Sequence, residues 1–321
     1  MSARRTITTV ALGVIAALLL SGCLTTEGVA TPEGARYRGS LVKSNGKPDP
    51  ALVIEQSEQD AARRIDPCSV IDLAATSALG TVTYTGPQHS LGDCEVVLAD
   101  RTGPVIGLSV SMSTMPVFIG PTTTYGTRVG TVPSGGSLCS IAVVYNEQRA
   151  FQYFASGIAG SDTCPALRTV VTASVPLLDR PGLRTTPLKD PCSFLDSLYP
   201  VDQKFFLVDL NPANCDYSLG ERTPNDGNRY VVSTFTMSRT LADTPPSTSR
   251  QLRLAGVPAN ETSSGEDRCA VTAFVGIDKP FTRPGWGGEP ETYVEAISVS
   301  GHGCATIRDI AVAVIKTYRA A

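Results

Sequence analysis

The sequence predicts an α+β fold present as two tandem copies. Each is an α-β-β-β-β-α domain with an antiparallel sheet, two helices on one face and two disulfides. Three observations carry this expectation. Asp66-Pro67-Cys68-Ser69 recurs as Asp190-Pro191-Cys192-Ser193. The nine cysteines fall as one, four and four: Cys23 alone, then Cys68, Cys94, Cys139 and Cys164, then Cys192, Cys215, Cys269 and Cys304. Between matching cysteines the apolar patterns come in the same order, and a chain of this length accommodates two domains.

Asp-Pro-Cys reads as a helix start. Asp66 and Asp190 can accept orphan N–H groups at the helix end, where proline is also tolerated. Apolar-patterned segments follow, Val70 to Leu79 with Gly80 as a stop, and Phe194 to Leu198. The second cysteine opens a strand in each copy, at Cys94-Glu95-Val96-Val97 and Cys215-Asp216-Tyr217-Ser218. Long β-patterned runs come next, Val105 to Met112 and Tyr230 to Met237. Turn-rich connections then carry Gly130-Thr131-Val132-Pro133 and Gly256-Val257-Pro258. The third cysteine starts another strand, Cys139 to Tyr145 and Cys269 to Val275. Its partner is Phe151 to Ser156 or Tyr293 to Ser300, alternating in the manner of a half-buried strand. The fourth cysteine opens a closing helix. Ile307, Ile310, Ala311, Val314 and Tyr318 follow helical spacing, as do Leu167, Val170, Val171 and Val175 before Pro176.

Four cysteines per copy allow three pairings. The favoured one joins first to second and third to fourth, tying each helix to its neighbouring strand. The expected boundaries are 1–22 for a leader, 23–62 for Cys23 and a flexible tether, and 63–180 and 186–321 for the two domains. A tether of that length reaches on the order of 35 Å. Within it, Leu52-Val53-Ile54 is a candidate edge strand.

The N-terminus has the parts of an export signal: Arg4 and Arg5, then an apolar run from Val10 to Leu20 too short for a comfortable permanent span. Leu20-Ser21-Gly22-Cys23 resembles the bacterial lipobox, which implies diacylglycerol on the Cys23 sulfur and cleavage before it. Two acyl chains suffice for stable anchoring. The expected location is the outer face of the cell membrane, in the envelope, where disulfides persist. Loss of residues 1–22 removes two of the 27 basic side chains and no acid, leaving a net charge near −5 against 30 acidic ones. That balance gives no electrostatic reason to bind nucleic acid.

The lipobox, the Asp-Pro-Cys starts, the strand-opening second cysteines, the Gly-x-Pro connections and the last cysteine pairs together resemble an actinobacterial family of small lipoproteins. That family is similar to the extracellular sensor domain of mycobacterial serine/threonine kinases. The likeness covers residues 63–180 and 186–321. It implies two disulfides per domain, a groove beside the sheet and a binding or sensing role. The family pattern places an aromatic residue two past the second cysteine; Tyr217 fits and Val96 departs. No kinase domain is present, so no signalling output follows.

Chemical motifs are sparse. His89 and His302 are the only histidines, too few for an ordinary zinc cluster once the cysteines pair. No nucleophile elbow, P-loop or dinucleotide pattern occurs. The expectation is therefore no enzyme, no cofactor and no metal, with an envelope hydrolase the least favoured reading. Cys269 and Cys304 are ten residues further apart than Cys139 and Cys164. The extra chain, around Lys279 to Glu291, carries Phe281, Arg283 and the only tryptophan, Trp286. Aromatics beside an arginine are common at binding hot spots. Phe281, Arg283, Trp286 and His302 are the candidate binding residues. The expected function is a lipid-anchored, non-catalytic ligand-binding or sensor-like module engaging an envelope lipid, glycan or protein. The alternative is an accessory subunit docking a protein through the Trp286 hairpin.

Overall fold

The computed structural model describes residues 50–87, 90–99, 105–114, 120–147, 149–200, 203, 205–209, 212–219, 229–264, 267–284 and 289–320. The leader, Cys23, His89, Trp286 and most of the tether lie outside the described residues. Among the described residues no helix is long and apolar enough to cross a membrane.

The chain enters through helix α1 (Pro50–Arg64). This corrects the expected tether, and with it the edge strand at Leu52-Val53-Ile54, which lies inside the helix. Residues 55–64 are Glu, Gln, Ser, Asp, Ala and Arg without Gly or Pro, a mostly helix-favouring composition. Arg63 and Arg64 complement the negative end of the dipole. Asp66 acts as the expected cap, its Oδ1 accepting the Cys68 N–H at 3.0 Å. The segment after it is not one helix. A 3-10 turn at Pro67–Val70 ends at extended Ile71, and Asp72 then caps a separate helix, α2 (Leu73–Ser77), by accepting the Ala75 N–H at 2.7 Å.

Strands β1 (Val82–Gly86), β2 (Asp93–Leu98), β3 (Gly107–Thr114), β4 (Thr122–Tyr125), β5 (Arg128–Thr131), β6 (Ser134–Gly135), β7 (Leu138–Val144) and β8 (Arg149–Ser156) build the first sheet. Its order is β1-β2-β3-β8-β7-β5-β4, with β6 beside β7 and every pairing antiparallel. Helix α3 (Cys164–Ser174) lays Leu167, Val170 and Val171 on one face, against Cys94, Val96, Val110, Phe151 and Tyr153.

Asp190 repeats the cap, accepting the Cys192 N–H at 3.0 Å ahead of α4 (Leu195–Leu198). The second sheet contains β9 (Phe205–Asp209), β10 (Asn214–Leu219), β11 (Arg229–Ser238), β12 (Arg250–Leu254), β13 (Val257–Ser264), β14 (Arg268–Ala273), β15 (Phe281–Pro284) and β16 (Pro290–His302). A short helix, α5 (Arg239–Asp243), follows β11. The sheet order, β9-β10-β11-β16-β14-β13-β12, has β15 beside β16. The closing helix, α6 (Cys304–Ala320), packs Ile307, Ile310, Ala311 and Val314 against Cys215, Tyr217, Val232, Val271 and Val299.

Each sheet has eight strands where about four were expected in each copy. The Gly-Thr-Val-Pro and Gly-Val-Pro segments are not open connections but parts of hairpins. Ala255 and Gly256 both take positive φ, 46° and 80°, giving the two-residue turn whose twist suits a tight hairpin. All four disulfides join first to second and third to fourth cysteine: Cys68–Cys94, Cys139–Cys164, Cys192–Cys215 and Cys269–Cys304, with Cα separations of 5.1–5.3 Å.

The chain entering the first sheet is stitched to the chain leaving it. Ile65 bridges Leu183, the Asp66 N–H donates to Gly182 O at 2.9 Å, and Arg184 and Leu188 donate backbone N–H groups to Arg64 O and Arg63 O. Arg63, buried, reaches Asp60 and Asp190 at 2.8 Å each.

Candidate functional site

Strand alternation gives each sheet a face turned away from α3 or α6. Two cavities lie on these outer faces.

The first, about 620 Å³, rests on β2, β3, β7 and β8. Its sides are acidic and hydroxylated at Asp93, Glu95, Ser109 and Ser111, and apolar at Val97, Leu138 and Phe154. The second sheet lends Arg283, Pro284 and Tyr293 to its rim. The Arg283 side chain is only 7% exposed. Its Nη1 stands 3.0 Å from Glu95 Oε2, and its guanidinium lies 3.9 Å over the Tyr293 ring. Phe281 stacks on Tyr293 as well, 6.2 Å away between ring centroids. Of the candidate binding residues, Arg283 is thus buried and Phe281 half-buried. Arg283 finds a carboxylate in the other half of the chain, whose desolvated charge needs a counter-ion.

Burial pushes the Asp93 carboxyl up to about 6, against the opposing pull of the Ser90 N–H and the Arg184 guanidinium. Burial likewise raises the Tyr84 hydroxyl, with Arg283 working against it. Cavity volumes of this order hold small-molecule ligands, and a mostly apolar wall with a few fixed polar groups is the usual lining.

The second cavity, about 310 Å³, lies where β11, β13, β14 and β16 run side by side. Cross-strand pairing aligns Val231 with Ser300, Ser300 with Ala270, Ala270 with Thr262, and Arg268 with His302. Arg229 completes the rim, held by Asp216 through Nε–Oδ1 at 2.9 Å and Nη2–Oδ2 at 2.5 Å. The His302 Nε2 atom is buried and has no hydrogen-bond partner. His302 is therefore a cavity residue, but of a different cavity from Arg283, and Phe281 is a lining residue of neither. Cys23 and Trp286 lie outside the described residues.

Tyr217, marked by its place after the second cysteine, lines neither cavity. It is fully buried, shares a hydrogen bond with the Tyr199 hydroxyl at 2.9 Å, and packs on Phe194 and Tyr230. Burial raises its hydroxyl far above the ordinary tyrosine range. Glu261, Cys269 and Cys304 bring potential ligand atoms together. The two sulfurs are bonded to each other and the carboxylate is held by Arg308, so these donors are already committed.

Asp93, Glu95, Arg229 and Arg268 were not singled out from sequence. The available signal was alternation: each stands one residue from a core position of its strand, or two from one at a strand start. Which strands then lie together depends on long-range pairing. The chain matches no protein-family model, no curated protein and no solved structure.

Proposed function

We propose that this chain is a lipid-anchored envelope protein acting as a non-catalytic ligand-binding or sensor-like module, its two halves arising by tandem duplication. The single observation that carries the binding reading is the 620 Å³ cavity on the first sheet, closed on one side by Arg283 from the second. Its ligand is an amphiphile. The apolar part lies on Val97, Leu138 and Phe154, and the polar part meets Glu95, Ser109 and Ser111. The matching strand order of the sheets and the matching disulfide scaffold support duplication. The lipobox supports the anchor. A protein-docking role for the hairpin carrying Trp286 is less favoured, because Arg283 is buried against Glu95.

Native mass spectrometry of the mature protein, extracted from its own membranes, tests this reading. The expected result is a co-purified amphiphile whose occupancy falls in a Phe154→Asp variant. An apo mass throughout, with no uptake of added envelope lipid, would remove the proposal.

A further inference from the structure

We infer that the second cavity, on the outer face of β11, β14 and β16, is a binding site for a phosphate-type oxyanion, separate from the amphiphile cavity. Among the described residues no carboxylate lines it. Asp216, the acid that Arg229 engages, is chelated by it. That ion pair fixes the Arg229 guanidinium at one edge. Arg268 stands across the sheet, paired in register with His302. Both arginine side chains keep solvent access, Arg229 at 48% and Arg268 exposed.

Between them His302 lines the cavity, and its buried Nε2 has no partner, a cost that a small turn of the ring toward a ligand oxygen would relieve. The Ser300 and Thr262 hydroxyls supply further donors from the same lining. Arginine forks match phosphate geometry, and charge-assisted hydrogen bonds are about twice as strong as neutral ones. A cation would meet two guanidiniums, and a bare acyl chain would strand the imidazole. The volume, half that of the first cavity, suits a headgroup-sized anion rather than a whole lipid.

The geometry of the first sheet sharpens the assignment. Counted from the disulfide cysteines, Gly107, Leu138 and Ser156 occupy the places that Arg229, Arg268 and His302 hold in the second sheet. The basic set is thus particular to one half.

The mature protein with His89→Gln leaves His302 as its single histidine, so one imidazole resonance reports the site. Inorganic phosphate should shift that resonance saturably, beyond sodium chloride at equal ionic strength. Arg268→Gln should weaken the response at least about tenfold, the effect of losing one charge-assisted contact. Vesicles of dioleoylphosphatidylglycerol, against dioleoylphosphatidylcholine, separate the two sources of this chemistry. A response to phosphate indicates a free anion, and a response to the anionic vesicles alone indicates a lipid headgroup. Equal shifts with chloride, or an unchanged response in a folded Arg268→Gln protein, would overturn the site. The amphiphile occupancy of the first cavity should be the same in Arg268→Gln, so failure here leaves the other reading standing.

Discussion

The two sheets place a carboxylate one residue after the second cysteine of their halves, Glu95 in the first and Asp216 in the second, and each carboxylate has an arginine. Asp216 takes Arg229 from the adjacent strand of its own sheet. Glu95 faces Gly107 and Ser109 on the neighbouring strand instead, and takes Arg283 from the other half of the chain. The source of the counter-ion decides the character of the face. Where it is local, the cavity is small, basic and self-contained. Where it is imported, the cavity is larger and walled by both halves. The same backbone thus presents two chemistries, because a buried acid must be answered and only its supplier differs.

The comparison can be broken first at the scaffold. Replacing Cys192 and Cys215 by alanine should cost about 2–4 kcal/mol in urea unfolding, and replacing Cys68 and Cys94 about the same, since the loops span 23 and 26 residues. A difference well above about 1 kcal/mol would show that the halves do not lean equally on their bridges.

Arg283→Ala should cost about 1–3 kcal/mol, because Glu95 is left part-buried without its cation. A double-mutant cycle with Glu95→Gln should show a coupling of about 1 kcal/mol or more. Additive losses would mean that Arg283 acts through Tyr293 packing alone.

Asp93 tests a neighbouring position, since the second half has Asn214 immediately before its second cysteine. A carboxyl raised in the folded state favours the protonated form. Its contribution to stability is therefore full below the unfolded value near 4 and is lost as pH rises through about 6. Asp93→Asn should gain on the native protein by about 1–3 kcal/mol between pH 4 and 7, followed by thermal unfolding. Parallel stability profiles would exclude the burial effect.

The smallest stability change belongs to a transplant, Leu138→Arg with Ser156→His. Leu138 is 63% exposed, so the cost should stay within about 0.5 kcal/mol. A phosphate response of the new imidazole would show that two positions suffice to convert one face to the other. Its absence would point to Asp216 and Arg229 as the missing part.

The disulfide pairing was legible because in each half the first and fourth cysteines stand at helical starts and the second and third near strand starts, and local patterns mark such starts well. So were the aspartate caps. Helix α1 was not. Its sequence offers Asp49-Pro50 as a start, but Leu52-Val53-Ile54 carries strand-like composition at its head. The β12–β13 hairpin was hidden by Ala255, which shows no sign in sequence of a positive φ. Arg283 illustrates the limit for sites. An arginine near aromatics reads as a partner-binding residue, whereas its destination, Glu95, is 188 positions away and set by sheet register. His302 was marked for its place before Cys304, but its neighbours Arg229 and Arg268 become visible only once β11, β14 and β16 lie together.

The stitching of residues 63–66 to 182–188 has a consequence for taking the molecule apart. A fragment cut at residue 180 would bare the Asp66 N–H and the Arg63 and Arg64 carbonyls, and would remove Arg184 from Ile65 and Leu91. The first half is therefore best excised through Leu188, retaining the helix ahead of Ile65. Residues 182–188 then stay seated against residues 63–66 at the foot of α1, so this seam keeps the fragment's last segment in place.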